Sequence, residues 1–324
     1  MVKDLKDLMA KFQDEATCRE FLIQQRWNGV PECPFCGCRR SYRIEAGKRF
    51  KCANSECWKK YSVTVGTIFE ASNIPLTTWF PAVYIATAHK KGISSVQLAK
   101  DLGVTQKTSW FMLHRIREGL RENEPLLLAK EVQADEVYIG GQEKFKHKDK
   151  KNDKATGKSQ TKMPVVGLIE TGGQVVTQVM PWITRKNIDE LMTRHLHQDA
   201  VLVTDANPVY LKIGRRHDHK IINHSEGQFK VETYTTNGVE NYWSILRRTI
   251  YGTYHHVSVK HLQRYCDESA YRFNSRKLHD GFRFLLTMQR LDGRLKYVDL
   301  IKNTDHGTGR NMDADSRISG DLFD

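Results

Sequence analysis

Four cysteines in two close pairs, Cys33-Pro-Phe-Cys36 and Cys52-Ala-Asn-Ser-Glu-Cys57, constrain this chain more than any other feature. Fifteen residues separate the pairs, so two knuckles can face each other and four thiolates converge on one tetrahedral Zn(II). Four soft ligands leave no position open for water, which makes such a zinc structural and not catalytic. The segment also holds too few apolar residues to fold without a metal, which argues against unligated, merely buried cysteines. Cys38 is a spare thiol and an alternative ligand, while Cys18 and Cys266 stand alone. Five of seven cysteines between positions 33 and 57 is a metal pattern for a reducing compartment, not a disulfide framework.

The charge balance points to the partner. The chain carries 51 Lys and Arg against 38 Asp and Glu, a formal +13, as expected of a protein that displaces counterions from a polyphosphate. Charge kept for solubility alone is the bland alternative. An anionic membrane fits less well, because no basic amphipathic helix stands out and no apolar run approaches the ~20 residues of a span. The start, Met1-Val-Lys-Asp-Leu-Lys-Asp-Leu, has no signal-peptide core, so the expected location is the cytoplasm, with the nucleoid.

The 324 residues accommodate a catalytic domain of about 150 to 200 residues plus small modules. Residues 4 to 28 carry apolar positions at helical spacing and end at Asn28-Gly29 and Pro31. From Cys33 to about Phe69 the chain alternates in strand fashion, as in Tyr42-Arg-Ile44 and Tyr61-Ser-Val-Thr-Val65. Three short helices follow, the first capped by Thr77 or Thr78 and running to His89, the second capped by Ser94 or Ser95, the third begun at Thr105. Strands are expected over Val132–Ile139, Val165–Glu170, Val175–Met180 and Ala200–Thr204, with a Gly172-Gly173 hairpin and a helix from Ile188 to His197. The segment from Lys144 to Lys162, with eight lysines and two aspartates, reads as a solvated loop that can touch DNA phosphate. The region from Asn237 to about Met288 is helical. Expected boundaries are 1–72 (helix and ribbon), 73–125, 126–300 (catalytic) and 301–324 (disordered tail).

Lys91-Gly-Ile-Ser-Ser-Val-Gln-Leu-Ala-Lys-Asp-Leu-Gly103 and the run that follows it to Arg115 have the layout of a helix-turn-helix. Ala99 permits close helix approach and Gly103 makes the turn. Gln106, Lys107 and Thr108 at the start of the next helix are the candidate DNA contacts, whereas Trp110, Met112, Leu113 and Ile116 read as core. A helical hairpin that only packs on its neighbour is the alternative.

Asp135 lies inside an apolar strand, Asp205 ends the strand Val201-Leu-Val-Thr, and Glu240 sits near the start of a helix. Buried carboxylates need cations, and hard oxygen ligands point to Mg(II) or Mn(II). A strand aspartate, a hairpin, an aspartate after a further strand and a glutamate 35 positions later is the order of a ribonuclease-H-like α/β fold, a mixed sheet flanked by helices. Bland roles exist for each: Asp205 as a turn cap, Glu240 as a helix N-terminal acid. Glu136 points to the other strand face and reads as solvent-side or helper. His217, His219, His224, His255, His256 and His261 have no metal-closing spacing and read as phosphate-contacting or structural.

The stretches Tyr61-Ser-Val-Thr-Val-Gly-Thr-Ile-Phe-Glu70, Asp135-Glu-Val-Tyr-Ile-Gly-Gly141, Thr204-Asp-Ala-Asn207, Asn237-Gly-Val-Glu240 and Tyr251-Gly-Thr-Tyr-His255 resemble the zinc-ribbon insertion-sequence transposases of the DDE type, over about residues 15 to 280. That resemblance implies Asp135, Asp205 and Glu240 as ligands of catalytic Mg(II) or Mn(II). It also implies terminal inverted repeats and target DNA as partners, and a homo-oligomer in the DNA complex. The family's basic residue seven positions after the glutamate falls on Arg247, next to Arg248. Many relatives carry Lys there and His where this chain has Thr236. Asn237 shares the helical face of Glu240 and is a possible substitute for it. A zinc-ribbon, helix-turn-helix regulator with an inactive sheet is the first competing function, and it would not need three carboxylates. A ribonuclease-H-like nuclease that cuts without joining is the second, and it would not need a separate sequence reader.

Overall fold

The computed structural model describes residues 2–122, 124–141, 162–211, 216–223, 226–228 and 230–302. Most of the lysine-rich segment, His224 and the expected tail from 303 onward lie outside the described residues.

The amphipathic start is two helices, α1 (Leu5–Lys11) and α2 (Glu15–Trp27), because Asp14 caps the second by accepting from Thr17 N at 2.8 Å. A three-stranded antiparallel ribbon follows, built from β1 (Ser41–Ile44), β2 (Arg49–Cys52) and β3 (Lys60–Tyr61). The alternation beyond Tyr61 does not continue the strand. Thr67 Oγ1 donates to Thr64 O at 2.7 Å and Gly66 adopts φ +78°, so local side-chain bonds win over the ladder.

Helix α3 (Leu76–Ala88) starts after Pro75, not at a threonine cap. Glu15 of α2 accepts from Thr77 N at 3.2 Å and does the capping from a distance. Ser94 caps α4 (Ser95–Leu102) and Thr105 caps α5 (Gln106–Gly119), with Gly103 left-handed between them at φ +65°. The first core is aromatic: Phe12, Phe21 and Phe80 surround Phe284, with centroids 5.9 to 6.3 Å from it. Phe284 belongs to α10 (Asp280–Met288), so the C-terminal part of the chain completes the N-terminal core.

The second body is a five-stranded sheet of β4 (Glu131–Ile139), β5 (Met163–Glu170), β6 (Val175–Val179), β7 (Val201–Asp205) and β8 (Asp218–Ile222), in the order β6-β5-β4-β7-β8. The β6-β5-β4 half is antiparallel, while β7 and β8 run parallel to β4. This is the ribonuclease-H-like mixed sheet. Helix α6 (Arg185–His195) and the short α7 (Pro208–Leu211) lie on one face with Val132, Ala134 and Leu202. Helix α8 (Asn237–Thr249), a π turn Ile250–Tyr254 and α9 (Val259–Asn274) cover the other with Val137 and Ile139. Residues 295–302, with α11 (Tyr297–Ile301), form a separate small unit.

Candidate functional site

Period-two alternation along β4 places Gln133 and Asp135 on the α8 face and Ala134 and Glu136 on the α7 face. Ala134 pairs with Thr204 in parallel register, so Asp135 and Asp205 come next to each other where β7 ends. Adjacent strands are about 4.8 Å apart. Across from Asp135 stands Gly167 of β5, and a Cβ there would come 2.5 Å from the Trp243 ring. The missing side chain lets the indole lie on the sheet, where Nε1 donates to Asp135 Oδ2 at 2.9 Å.

Glu240 is exposed in the first turn of α8 and accepts from Thr236 Oγ1 at 3.1 Å. Burial raises the Asp135 pKa above the ordinary carboxylate range, and the negative charges of Asp205 and Glu240 push it the same way, against the Glu136 backbone N–H and the Trp243 indole. Asp135 therefore feels the charge of both other predicted carboxylates. They do not close into a cluster with every oxygen within 4.8 Å; among the described residues only the cysteine quartet does. Two cations about 3.5 to 4 Å apart would not require that of their ligands.

Glu136 is not a solvent-side residue. It is half-buried and accepts from Asn207 Nδ2 at 3.0 Å and Tyr210 OH at 2.9 Å, while Asn207 N donates to Asp205 Oδ1 at 3.1 Å. It thereby holds the loop that follows Asp205. Asn237 is exposed as the first residue of α8. Arg247 and Arg248 are exposed in that helix's last turn. A cleft of about 730 Å³ opens beside the end of β4, lined among others by Tyr138, Lys162, Arg247, Tyr251, His255 and His256.

In the helix-turn-helix, Gln106 and Lys107 are exposed, and Gln106 Nε2 donates to Ser95 Oγ at 2.9 Å. Thr108 is half-buried and tied into the α5 cap, its N donating to Thr105 Oγ1 at 3.2 Å. Met112, Leu113 and Ile116 are core as expected; Trp110 is only half-buried, edge-to-face with His114 at 4.4 Å and with His261 at 5.9 Å. His261 packs on Trp110 and His114, and His219 bonds Thr204 Oγ1 at 2.9 Å.

In the ribbon the Sγ atoms of Cys33, Cys36, Cys52 and Cys57 all lie within 4.8 Å of one another, with Cys33–Cys57 at 3.8 Å and Cys36–Cys52 at 3.5 Å. A tetrahedron with Zn–S of about 2.3 Å has edges of about 3.8 Å, so the donor set fits zinc. Cys38 is outside it, its Sγ donating instead to Arg40 O at 3.6 Å.

A ribonuclease-H-like sheet with acids where its central strands end, behind a four-cysteine ribbon, defines a class of DNA-recombining proteins. Residues 127–274 match the family model described as "ISXO2-like transposase domain", and residues 13–60 match "Transposase zinc-ribbon domain". The chain is also 26% identical, over 253 residues, to an "Uncharacterized protein in transposable element ISH50" of Halobacterium salinarum, covering 73% of this chain and 83% of that one. The chain thus carries both the zinc-ribbon domain and the transposase domain of insertion-sequence transposases.

Four participants escaped sequence reasoning: Gln133, Trp243, Asn207 and Tyr210. One signal was present, a lone amide between the apolar Val132 and Ala134. The others depend on which residues the sheet brings together.

Proposed function

We propose that this transposase binds the terminal inverted repeats of its element and carries out metal-dependent phosphodiester cleavage and strand transfer, with Asp135, Asp205 and Glu240 as the ligands of two Mg(II) or Mn(II) ions. The observation that carries this reading is the placement of Asp135 beside Asp205 on parallel strands, with Glu240 one helical turn before Trp243, whose indole bonds Asp135. The bound ions would supply charge neutralisation at the phosphodiester oxygens. The chain's own residues do the positioning. Trp243 Nε1 holds the Asp135 carboxylate in place through Oδ2. Asn207 N fixes an oxygen of Asp205. Arg247 and Lys162, in the adjoining cleft, take the strand's phosphates. Thr236 offers a hydroxyl to Glu240, which favours Glu240 over Asn237 as the third ligand. The DNA complex is a homo-oligomer in this reading. Among the described residues no helix is long and apolar enough to cross a membrane. The test is Mg(II)- or Mn(II)-dependent nicking and joining of a labelled duplex carrying the inverted repeats that flank the reading frame; binding without either product would favour the regulator, and nicking without joining the nuclease.

The ribbon holds a structural Zn(II) through Cys33, Cys36, Cys52 and Cys57. Elemental analysis is expected to find about one zinc per chain, lost in a Cys33→Ser, Cys52→Ser double variant together with the ribbon's fold. Stoichiometric zinc in that variant would sink the assignment.

Helix α5 reads DNA through Gln106, Lys107 and Thr108, and Arg248 joins Arg247 in contacting the backbone. Lys107→Ala is expected to weaken binding and to lower the slope of log affinity against log salt by about one, the change for a single phosphate contact. An unchanged slope would place Lys107 away from phosphate.

A further inference from the structure

We propose that Gln133 is a positioning residue that pins the Glu240-bearing end of α8 to the strand carrying Asp135; this rests on the reading of Asp135, Asp205 and Glu240 as cation ligands. Helix α8 begins without a side-chain cap, since Thr236 Oγ1 donates to Glu240 instead of accepting from the helix. The first N–H groups of a helix need acceptors from elsewhere. Val239 N, directly before Glu240, donates to Gln133 Oε1 at 3.0 Å, across 106 residues of sequence. Gln133 is 2% exposed, and its Nε2 donates to Thr171 Oγ1 at 3.1 Å and to Glu131 Oε1 at 3.4 Å. Thr171 Oγ1 itself donates to Glu131 Oε1 at 2.8 Å. With both of its donor bonds on the β4–β5 side, the amide is oriented so that its oxygen faces the helix.

The approach is close. A Cβ on Gly238 would stand 2.7 Å from Gln133 Oε1 and 3.2 Å from Cδ and Nε2, so the contact requires glycine there. Asp135 lies two residues on, on the same strand face, about 7 Å along the strand. One strand thus carries the first carboxylate and the acceptor that places the third. An apolar side chain at 133 would suit the strand between Val132 and Ala134 but would leave the helix end unpinned.

The experiment uses the full-length zinc-loaded protein and Tb(III) as a probe of the carboxylate site, sensitised by Trp243 beside Asp135. Wild-type luminescence is expected to vanish in Asp135→Asn and in Trp243→Phe. Gln133→Met, which keeps volume but removes the acceptor, is expected to weaken Tb(III) binding about tenfold, the usual scale for a residue that orients a metal ligand. Gly238→Ala gives a second route should Gln133→Met not fold: alanine favours the helix but displaces the amide, so binding should weaken without loss of melting temperature. Wild-type Tb(III) affinity in Gly238→Ala or in a folded Gln133→Met overturns the proposal. Undiminished luminescence in Asp135→Asn would instead remove the cation reading itself, whatever Gln133 does.

Discussion

Asp135→Asn and Asp205→Asn are each expected to reduce Mg(II)-dependent strand cleavage on the order of a thousandfold, about 4 kcal/mol in the barrier, while DNA binding survives. Each change keeps shape and hydrogen bonding, including acceptance from Trp243 Nε1 or Asn207 N, and removes one negative charge from the cation site. Removing acid from a +13 protein does not weaken its hold on phosphate. Glu240→Gln is expected to follow the same pattern; full activity there would move the third ligand to Asn237. Glu136→Gln is unsuited as an inert control, because an amide cannot accept from Asn207 and Tyr210 as a carboxylate does, and the loop after Asp205 would loosen. Its expected effect is intermediate. Glu190→Gln, on an exposed position of α6, is the better control. The measurement is single-turnover nicking of the end-repeat duplex beside a binding isotherm; undiminished nicking by the Asp135 or Asp205 variant would remove the proposed site.

The second large effect is on stability. Glu268 of α9 is 2% exposed and accepts from Arg117 Nε of α5 at 2.8 Å, from Tyr254 OH of the π turn at 2.8 Å, and from Arg272. The Arg117 guanidinium stacks 3.9 Å over the Tyr265 ring. Burial alone would push the Glu268 carboxyl up, but Arg117 and then Arg272 hold it at about 2. Glu268→Gln leaves two buried guanidinium groups without a counter-charge, and the expected cost is about 3 to 5 kcal/mol at neutral pH. The carboxyl's folded pKa lies below its ordinary 4.5, so its contribution is complete above pH 4.5 and disappears as pH falls toward 2. The gap between wild type and variant in urea unfolding should therefore be widest near pH 7 and narrow across that acid window. Equal stability at pH 7 would show that the triad contributes nothing net. The link matters for function, because it joins the helix-turn-helix to the helix packed behind the sheet.

Much of the site was legible before any coordinates. The cysteine spacing specified four ligands, because thiolate geometry around zinc leaves few alternatives. The strands β4 to β7 and the helices with local caps at Ser94 and Thr105 were readable, because periodicity and capping act over a few residues. Asp135, Asp205 and Glu240 stood out as acids at apolar segments. The exceptions fall where a distant residue wins. The α3 cap comes from Glu15, the polar edge strand β8 carries no clear alternation, and α7 is too short to show a helical period. By itself the sequence determined the four converging cysteines and the order of elements, because those depend on residue type and near-neighbour spacing. Only the tertiary structure decided that Trp243 bonds Asp135, that Gln133 bonds the first turn of α8, that Glu136 bonds Asn207 and Tyr210, that Glu268 joins α5 to α9, and that α10 closes the N-terminal core. Each of those depends on a contact between residues at least 70 positions apart, except where the Glu268 cluster also closes locally, and nothing in local spacing specifies such contacts.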